Sequence, residues 1–442
     1  MQLLLIMTLI HMIKRIKGYK DTNESNQENP SNPFNQGSDN LRINKKYKMS
    51  MTEWKEYKLG ELAEVTGGKR LPKGELLVNY ETSHPYIRVT DFRTKWIKRE
   101  GLLFVTSDIQ KKISRYIVRA GGVILSIVGS IGFIGRISNE LDGANLTENC
   151  VKFNIKSTIL NDDYLYYFLT SSIGKDEIEK RIVGSTQPKL PIYNIKDIDV
   201  LLPPLPEQKQ IASVLSSLDD KIDLLHRQNK TLEQIAETLF RQWFVEEAEE
   251  GWEKGTIEDE FYFTMGQSPP GATLNETGTG LIFYQGSSDF GFRFPNPRVY
   301  TTAPTRIANK YETLVSVRAP VGDINMAIDK CCLGRGVAAF RYKYDETFYS
   351  YTYYKLRSLM LLIKQFEDCG TVFGSIGKDD FKSIVNLIPP KRLIDEFQKS
   401  VRVLDDKVML NSIQIRTLTN LRDTLLPKLM SGEIRLNLDS HD

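Results

Sequence analysis

Two stretches of the chain place residues at alternating intervals of four and three. In the first, Ile211, Leu215, Leu218, Ile222, Leu225, Asn229, Leu232, Ala236, Leu239 and Trp243 form one stripe; in the second, Phe397, Val401, Leu404, Val408, Asn411, Ile415, Leu418 and Leu425 do so. This is the heptad spacing of a helix that buries a narrow seam against another helix. Each stretch opens after a proline pair, Pro203–Pro204 or Pro389–Pro390, and Pro427 is expected to end the second. At about 1.5 Å per residue, 35 to 40 residues give rods of roughly 50 to 60 Å. A lone helix cannot bury such a stripe. The two are expected to pack on each other, and because a globular stretch lies between them, an antiparallel pair is the simpler arrangement. The alternative is that each stripe packs on its own globular neighbour. Asn229 and Asn411 either set the register of the seam or are tolerated polar positions.

Outside the rods the periodicity changes. Short apolar runs such as Val123 to Val128 are punctuated by Gly129 and Gly132, which predicts short strands joined by tight turns. A short amphipathic helix is expected near Asp163 to Ser172, carrying Tyr164, Leu165, Tyr167, Phe168 and Leu169.

The chain also repeats itself. An offset of 186 carries Pro203, Pro204, Leu218, Asp219, Asp220 and Lys221 onto Pro389, Pro390, Leu404, Asp405, Asp406 and Lys407. Upstream, an offset of 198 carries Trp54, Thr66, Gly68, Pro72, Tyr86, Asp91 and Phe92 onto Trp252, Thr264, Gly266, Pro270, Tyr284, Asp289 and Phe290. An offset of 190 carries Ser126, Gly132 and Ile134 onto Ser316, Gly322 and Ile324. Such self-similarity sets the architecture before any site is considered. The expected division is a globular unit over 51–203, a helix over 204–250, a second unit over 251–388, and a helix with tail over 389–442.

Residues 1–50 read differently: an apolar start, a basic cluster after it, then a polar stretch rich in Asn and Ser. A disordered or misassigned extension is expected, with translation starting at Met49 or Met51; the alternative is a genuine flexible extension or weak membrane anchor. The extension matters to the charge. The chain's formal +3 includes eight basic and four acidic residues from this segment, leaving 51 basic against 52 acidic side chains. A near-neutral body is not that of a protein that grips any nucleic acid through phosphates alone. Cys150, Cys331, Cys332 and Cys369 lack metal-ligand spacing and are expected as reduced, buried thiols, the adjacent pair on opposite faces of a strand. Gly374 to Lys378 resembles the end of a P-loop, yet Val372 and Asp379 stand where Gly and Ser or Thr are needed. Asn32, Pro33, Phe34 lacks the second proline of an adenine-methyltransferase signature, and His11, His84, His226 and His441 form no triad or zinc pattern. The Asp-Asp-Lys runs are expected as solvated or partner-facing charges. No catalytic centre or metal site is expected.

Several passages carry a family resemblance: Gly184 to Gln187; Ile195 to Asp199 followed by Pro203 to Ala212; Leu239 to Phe244 followed by Trp252; and Leu425 to Ile434. In this order they resemble the specificity subunits of type I restriction-modification enzymes, over residues 51 to about 436. The second tail departs from the pattern, with Lys391 to Asp395 in place of a Pro-Glu-Gln run. The resemblance implies an α+β fold in which two mixed α/β target recognition domains are joined by two long helices. These helices form an antiparallel coiled coil within an internal pseudo-two-fold repeat. It implies a cytoplasmic, non-catalytic subunit that reads a bipartite, asymmetric site in double-stranded DNA. Modification (methyltransferase) subunits with S-adenosylmethionine, and restriction (motor/nuclease) subunits with ATP and Mg²⁺, would dock on it, and no membrane is involved. A coiled-coil scaffold without DNA specificity is the alternative. Base-reading residues should be Arg, Lys, Gln, Asn, Ser or Thr on loops. The candidates are Lys69, Arg70, Arg88, Thr90, Arg93, Ser130 and Gln187 in the first unit, and Gln267, Ser268, Gln285, Ser287, Arg318 and Ser375 in the second.

Overall fold

The computed structural model describes residues 54–365 and 374–436. The expected extension over residues 1–50 and Cys369 lie outside the described residues. The first strand among the described residues, Lys55–Lys58, pairs antiparallel with Asp199–Leu202, so the segment closes on itself just before Pro203. Glu253–Thr256 pairs in the same way with Val385–Ile388, just before Pro389. The registers correspond, Lys55 facing Leu202 and Glu253 facing Ile388.

Inside each closure lie two sheets, of five and three strands in the first segment and of four and five in the second. In the first segment the larger has the order Ala63–Gly67, Cys150–Ile155, Val123–Ser126, Ile134–Ile137, Trp96–Ile97. Val123–Ser126 is buried at every position, which is why it reads as an unbroken apolar run rather than an alternation. The counterpart sheet has the order Phe261–Met265, Val337–Tyr342, Thr313–Ser316, Ile324–Met326. The other sheet of each segment is mixed: Pro85–Ile87 runs parallel to Asn145–Leu146, and Leu281–Tyr284 parallel to Cys331–Leu333. Cys150, Cys331 and Cys332 are all buried.

The expected short helix is Asp162–Thr170, but it is not amphipathic, for Tyr164 through Leu169 are all buried. It packs between the strand Ile134–Ile137 and the first long helix, so two faces are covered at once. Tyr349–Ser358 is lodged against both long helices in the second segment.

The long helices are Leu205–Arg241, of 37 residues, and Lys391–Met430, of 40. They lie antiparallel: Asp219 meets Arg422 at 3.0 Å, Asn411 donates to Asn229 at 2.9 Å, and Phe240 lies edge-on to Phe397. Ile211, Leu215, Leu218, Ile222, Leu225, Phe397, Val401, Val408 and Leu425 are buried as expected, while Leu404, Ile415 and Leu418 are half-buried. Late in the first helix the buried face slips. Leu232 and Leu239 are only half-buried, and Glu233, Ala236 and Phe240 take the enclosed positions. A 3.6-residue turn drifts by about 20° per heptad against a strict 3.5 repeat, and here the drift is turned toward Tyr349–Ser358. Pro427 does not end the second helix, which continues to Met430. So close to the terminus the missing N–H removes a single bond, and buried Leu425, Leu429 and Met430 hold the last turn in place.

The Asp-Asp-Lys runs are also only partly solvated. Asp220 and Lys221 are exposed, but Asp219 accepts from the Tyr167 hydroxyl at 2.6 Å. Asp405 is enclosed and lies 3.2 Å from Arg293. Under the offset that aligns Trp54 with Trp252, Arg293 stands at the position of Lys95. Each globular segment thus sends one cation to the first Asp of a Leu-Asp-Asp-Lys run. The two contacts differ in strength. The Arg293 side chain is 1% exposed, between Glu233 at 3.1 Å and Asp405, its guanidinium 3.7 Å from the Tyr353 ring centre. Burial pulls its pKa down, but Asp405, the tyrosines and Glu233 outweigh this and hold it well above the ordinary value. Lys95 donates to Tyr167 at 2.8 Å and Ser216 at 3.1 Å, with Asp219 3.9 Å away. Burial wins there, and the Lys95 pKa is lowered despite Asp219 and Asp220.

Two outcomes are expected in urea denaturation of the full chain. Arg293→Met leaves Glu233 and Asp405 buried without their shared cation and should cost about 3–5 kcal/mol, whereas Lys95→Met should cost less because Arg422 still neutralises Asp219. Asn411→Leu alone should cost about 1–3 kcal/mol by stranding Asn229. Adding Asn229→Leu should recover most of that, since the native pair already leaves Asn411 Oδ1 without a partner.

Candidate nucleic-acid interface

Backbone bonds tie the candidate base-reading loops of the first segment together. Gly68 N donates to Cys150 O at 2.9 Å and Lys69 N to Leu146 O at 2.8 Å, laying the Gly68–Arg70 turn along the 147–149 loop. The approach is so close that a Cβ on Gly68 would sit 2.1 Å from Thr147 O. Thr147 N donates to Ile87 O at 3.0 Å, which brings the Arg88–Asp91 turn alongside. From the other side, Ile127 N donates to Asn149 O and Leu190 N to Ile127 O, adding the loops that carry Ser130 and Gln187.

The second segment is tied in the same way. Gly266 N donates to Val337 O and Gln267 N to Leu333 O; Gly334 N reaches Tyr284 O, and Gly336 N reaches Gln285 O. Val317 N then donates to Gly336 O and Ile376 N to Val317 O, with Arg318 and Ser375 paired across a bridge. Even the turn that carries Ser130 is repeated. Ser126 Oγ donates to Ser130 O and accepts from Phe133 N, as Ser316 Oγ does with Pro320 O and Asp323 N.

Each set of candidates therefore gathers along one edge. Lys69, Arg70, Thr90, Ser130, Gln187, Gln267, Gln285, Arg318 and Ser375 are exposed there, and Arg88, Ser268 and Ser287 are half-buried. Arg93 is exposed but follows the Arg88–Asp91 turn, and among the described residues no hydrogen bond or ion pair ties it to the edge. The P-loop-like run is part of this edge rather than a phosphate cradle. Ile376 is buried, and the Asp380 carboxylate already accepts from Gly377 N, where a phosphate would lie.

Several carboxylates on these edges went unnoticed among the sequence candidates. Glu148 accepts from Arg70 Nε at 2.6 Å; burial raises its pKa, but Arg70, its own backbone N–H and Thr147 outweigh that and hold it below the usual range. Asp91 accepts from Arg88 at both Nε and Nη2. Asp289 accepts from Gln285 N at 2.6 Å and from Arg298 Nη2 at 3.3 Å. The signal for Asp91 and Asp289 was present in their match at the offset of 198. Glu148 carried no such mark.

Comparison with known proteins finds relatives that match most of the chain. Residues 51–234 match the family described as type I restriction modification DNA specificity domain. A protein of Methanocaldococcus jannaschii assigned as the MjaX type I restriction enzyme specificity subunit is 29% identical, over 80% of this chain and 88% of its own. The MjaIX specificity subunit of the same organism is 25% identical, over 87% and 94%. The fold is that of the crystal structure of the type I restriction-modification system S subunit from M. genitalium. Its TM-score is 0.57 at 19% identity, with 87% of this chain and 97% of that one covered. With two closed α+β segments on a pair of long helices and relatives matched over most of their length, this chain is similar over most of its length to the specificity subunits of type I restriction-modification enzymes.

Proposed function

We propose that the chain is the DNA sequence-recognition subunit of a type I restriction-modification complex, reading a bipartite, asymmetric site with one half read by each globular segment. The observation that carries this reading is the convergence of each segment's polar loop residues on one edge through matched backbone bonds. The residues there are of the types that read base edges in the major groove. The helix pair acts as an antiparallel coiled coil relating two copies of one repeat, and it sets the unread gap between half-sites. Helices of 37 and 40 residues are about 55 to 60 Å long, more than the roughly 34 Å of one DNA turn, so the two edges can address successive groove faces.

The chemistry falls to partners. Modification subunits bring S-adenosylmethionine and methylate adenine, and restriction subunits bring ATP and Mg²⁺. A near-neutral chain needs their help to hold DNA. Its place is the cytoplasm, where the DNA is, and no helix among the described residues is long and apolar enough to cross a membrane.

The test is co-expression with the modification subunit in a methylation-free host, followed by mapping of methylated adenines. A single bipartite motif with a fixed gap is the expected result, and a soluble complex that methylates nothing would overturn the reading. In the same assay Arg318→Ala should reduce base preference in one half-site by about 1–3 kcal/mol, leaving the other half-site unchanged. Equal loss in both would mean that Arg318 supports the fold instead.

A further inference from the structure

Arg88 is held in a way that no other candidate is. Its Nε donates to Asp91 Oδ2 at 3.2 Å and its Nη2 to Asp91 Oδ1 at 2.9 Å, so one two-nitrogen side of the guanidinium is occupied. The opposite side, formed by Nη1 and the second N–H of Nη2, makes no hydrogen bond among the described residues. The Arg88 side chain is 33% exposed while the Asp91 side chain is 5% exposed, so the anchor is buried and the arginine is partly open to solvent.

The anchor is itself fixed. Asp91 Oδ2 accepts from Arg88 N at 2.7 Å, closing the turn, and Val89 and Phe92 on either side pack against the core of Ile87, Ile97 and Ile137. Thr147 N bonds to the carbonyl of Ile87, immediately before Arg88, at 3.0 Å. The fork therefore projects from rigid backbone at the centre of the first segment's edge.

Resting on the DNA-reading function proposed above, we infer that the first half-site contains a guanine read by Arg88, with Asp91 as the positioning residue that presents the fork. A guanidinium side with two parallel N–H groups matches the O6 and N7 acceptors of guanine in the major groove, and no other base offers two acceptors there. Holding the opposite side beforehand removes the rotamer cost of presenting it. The second segment lacks this arrangement. Asp289 holds Arg298 by a single 3.3 Å bond, and the Arg298 side chain is 58% exposed, so the inference is confined to the first half-site.

The experiment compares the methylated motif of the wild-type complex with those of complexes carrying Arg88→Lys and Asp91→Asn, using a library randomised in both half-sites. Both variants should lose preference for guanine at one and the same position of one half-site, by about 5- to 150-fold, with the other half-site unchanged. Arg88→Lys alone decides the matter if the Asp91→Asn complex fails to assemble, because it keeps both the cation and the backbone bond from residue 88 to Asp91 that closes the turn. An unchanged motif, an affected position that is not guanine, or a uniform fall in methylation on all sequences, as loss of a phosphate contact would give, overturns the inference. Each of these leaves the wild-type bipartite motif standing. Absence of that motif in the wild type would overturn the recognition function itself.

Discussion

Everything in this fold hangs on the antiparallel contact between Leu205–Arg241 and Lys391–Met430. The helices are far apart in sequence and each carries a globular segment at its start, so sliding one helix along the other would move one reading edge relative to the other. A purely apolar seam resists sliding weakly, because one leucine can replace another. Polar contacts at particular heights do not permit it. Asn229 with Asn411, Asp219 with Arg422, and Glu207 with Arg435 each work in one register only. Buried asparagines and ion pairs contribute little net stability, but they penalise every other alignment. Under the proposed function, in which the rod sets the gap between half-sites, register matters more than stability.

The attachment of the two segments to this rod is unequal. Arg293 reaches between both helices to Glu233 and Asp405 and is enclosed by Tyr353 and Tyr354. Lys95, its positional counterpart, meets the hydroxyls of Tyr167 and Ser216 and stands farther from its carboxylate, beside an open cavity of about 640 Å³ lined by Trp96, Tyr166, Asp220 and His226. A planar guanidinium can serve two acids at once, whereas an ammonium is a point charge that loses more solvation for each bond it gains. At this pair of matching positions the second segment's contact is thus the more enclosed of the two.

What could be read from the sequence follows from how far each signal reaches along the chain. Heptads and proline pairs are local, so the long helices and their starts were visible at once, and the errors at Leu239 and Pro427 amount to a few residues at helix ends. The repeat made Asp91 and Asp289 visible as a pair, though not their role as anchors. Arg293 was invisible for the opposite reason: it is one arginine in a loop, and Glu233 lies 60 positions away. The missing Pro-Glu-Gln run of the second tail is instructive too. Gln208 accepts from Asn161 N at 2.9 Å at the start of the first helix, and Gln398, one turn deeper in the second, accepts from Tyr351 N at 3.0 Å. The interaction survives where the motif does not, because a side chain needs a position in space rather than a place in a pattern.

The same reasoning explains how a nearly neutral chain can discriminate among sequences. Diffuse positive charge attracts DNA of every sequence alike, and salt screens it. Here much of the charge along the candidate edges is already paired, Arg70 with Glu148 and Arg88 with Asp91. Pairing sacrifices long-range attraction, but it orients the donors that remain. Under the proposed function, non-specific affinity can be left to partner subunits. Discrimination cannot be delegated in this way, since it depends on donors standing where one base presents acceptors and another does not.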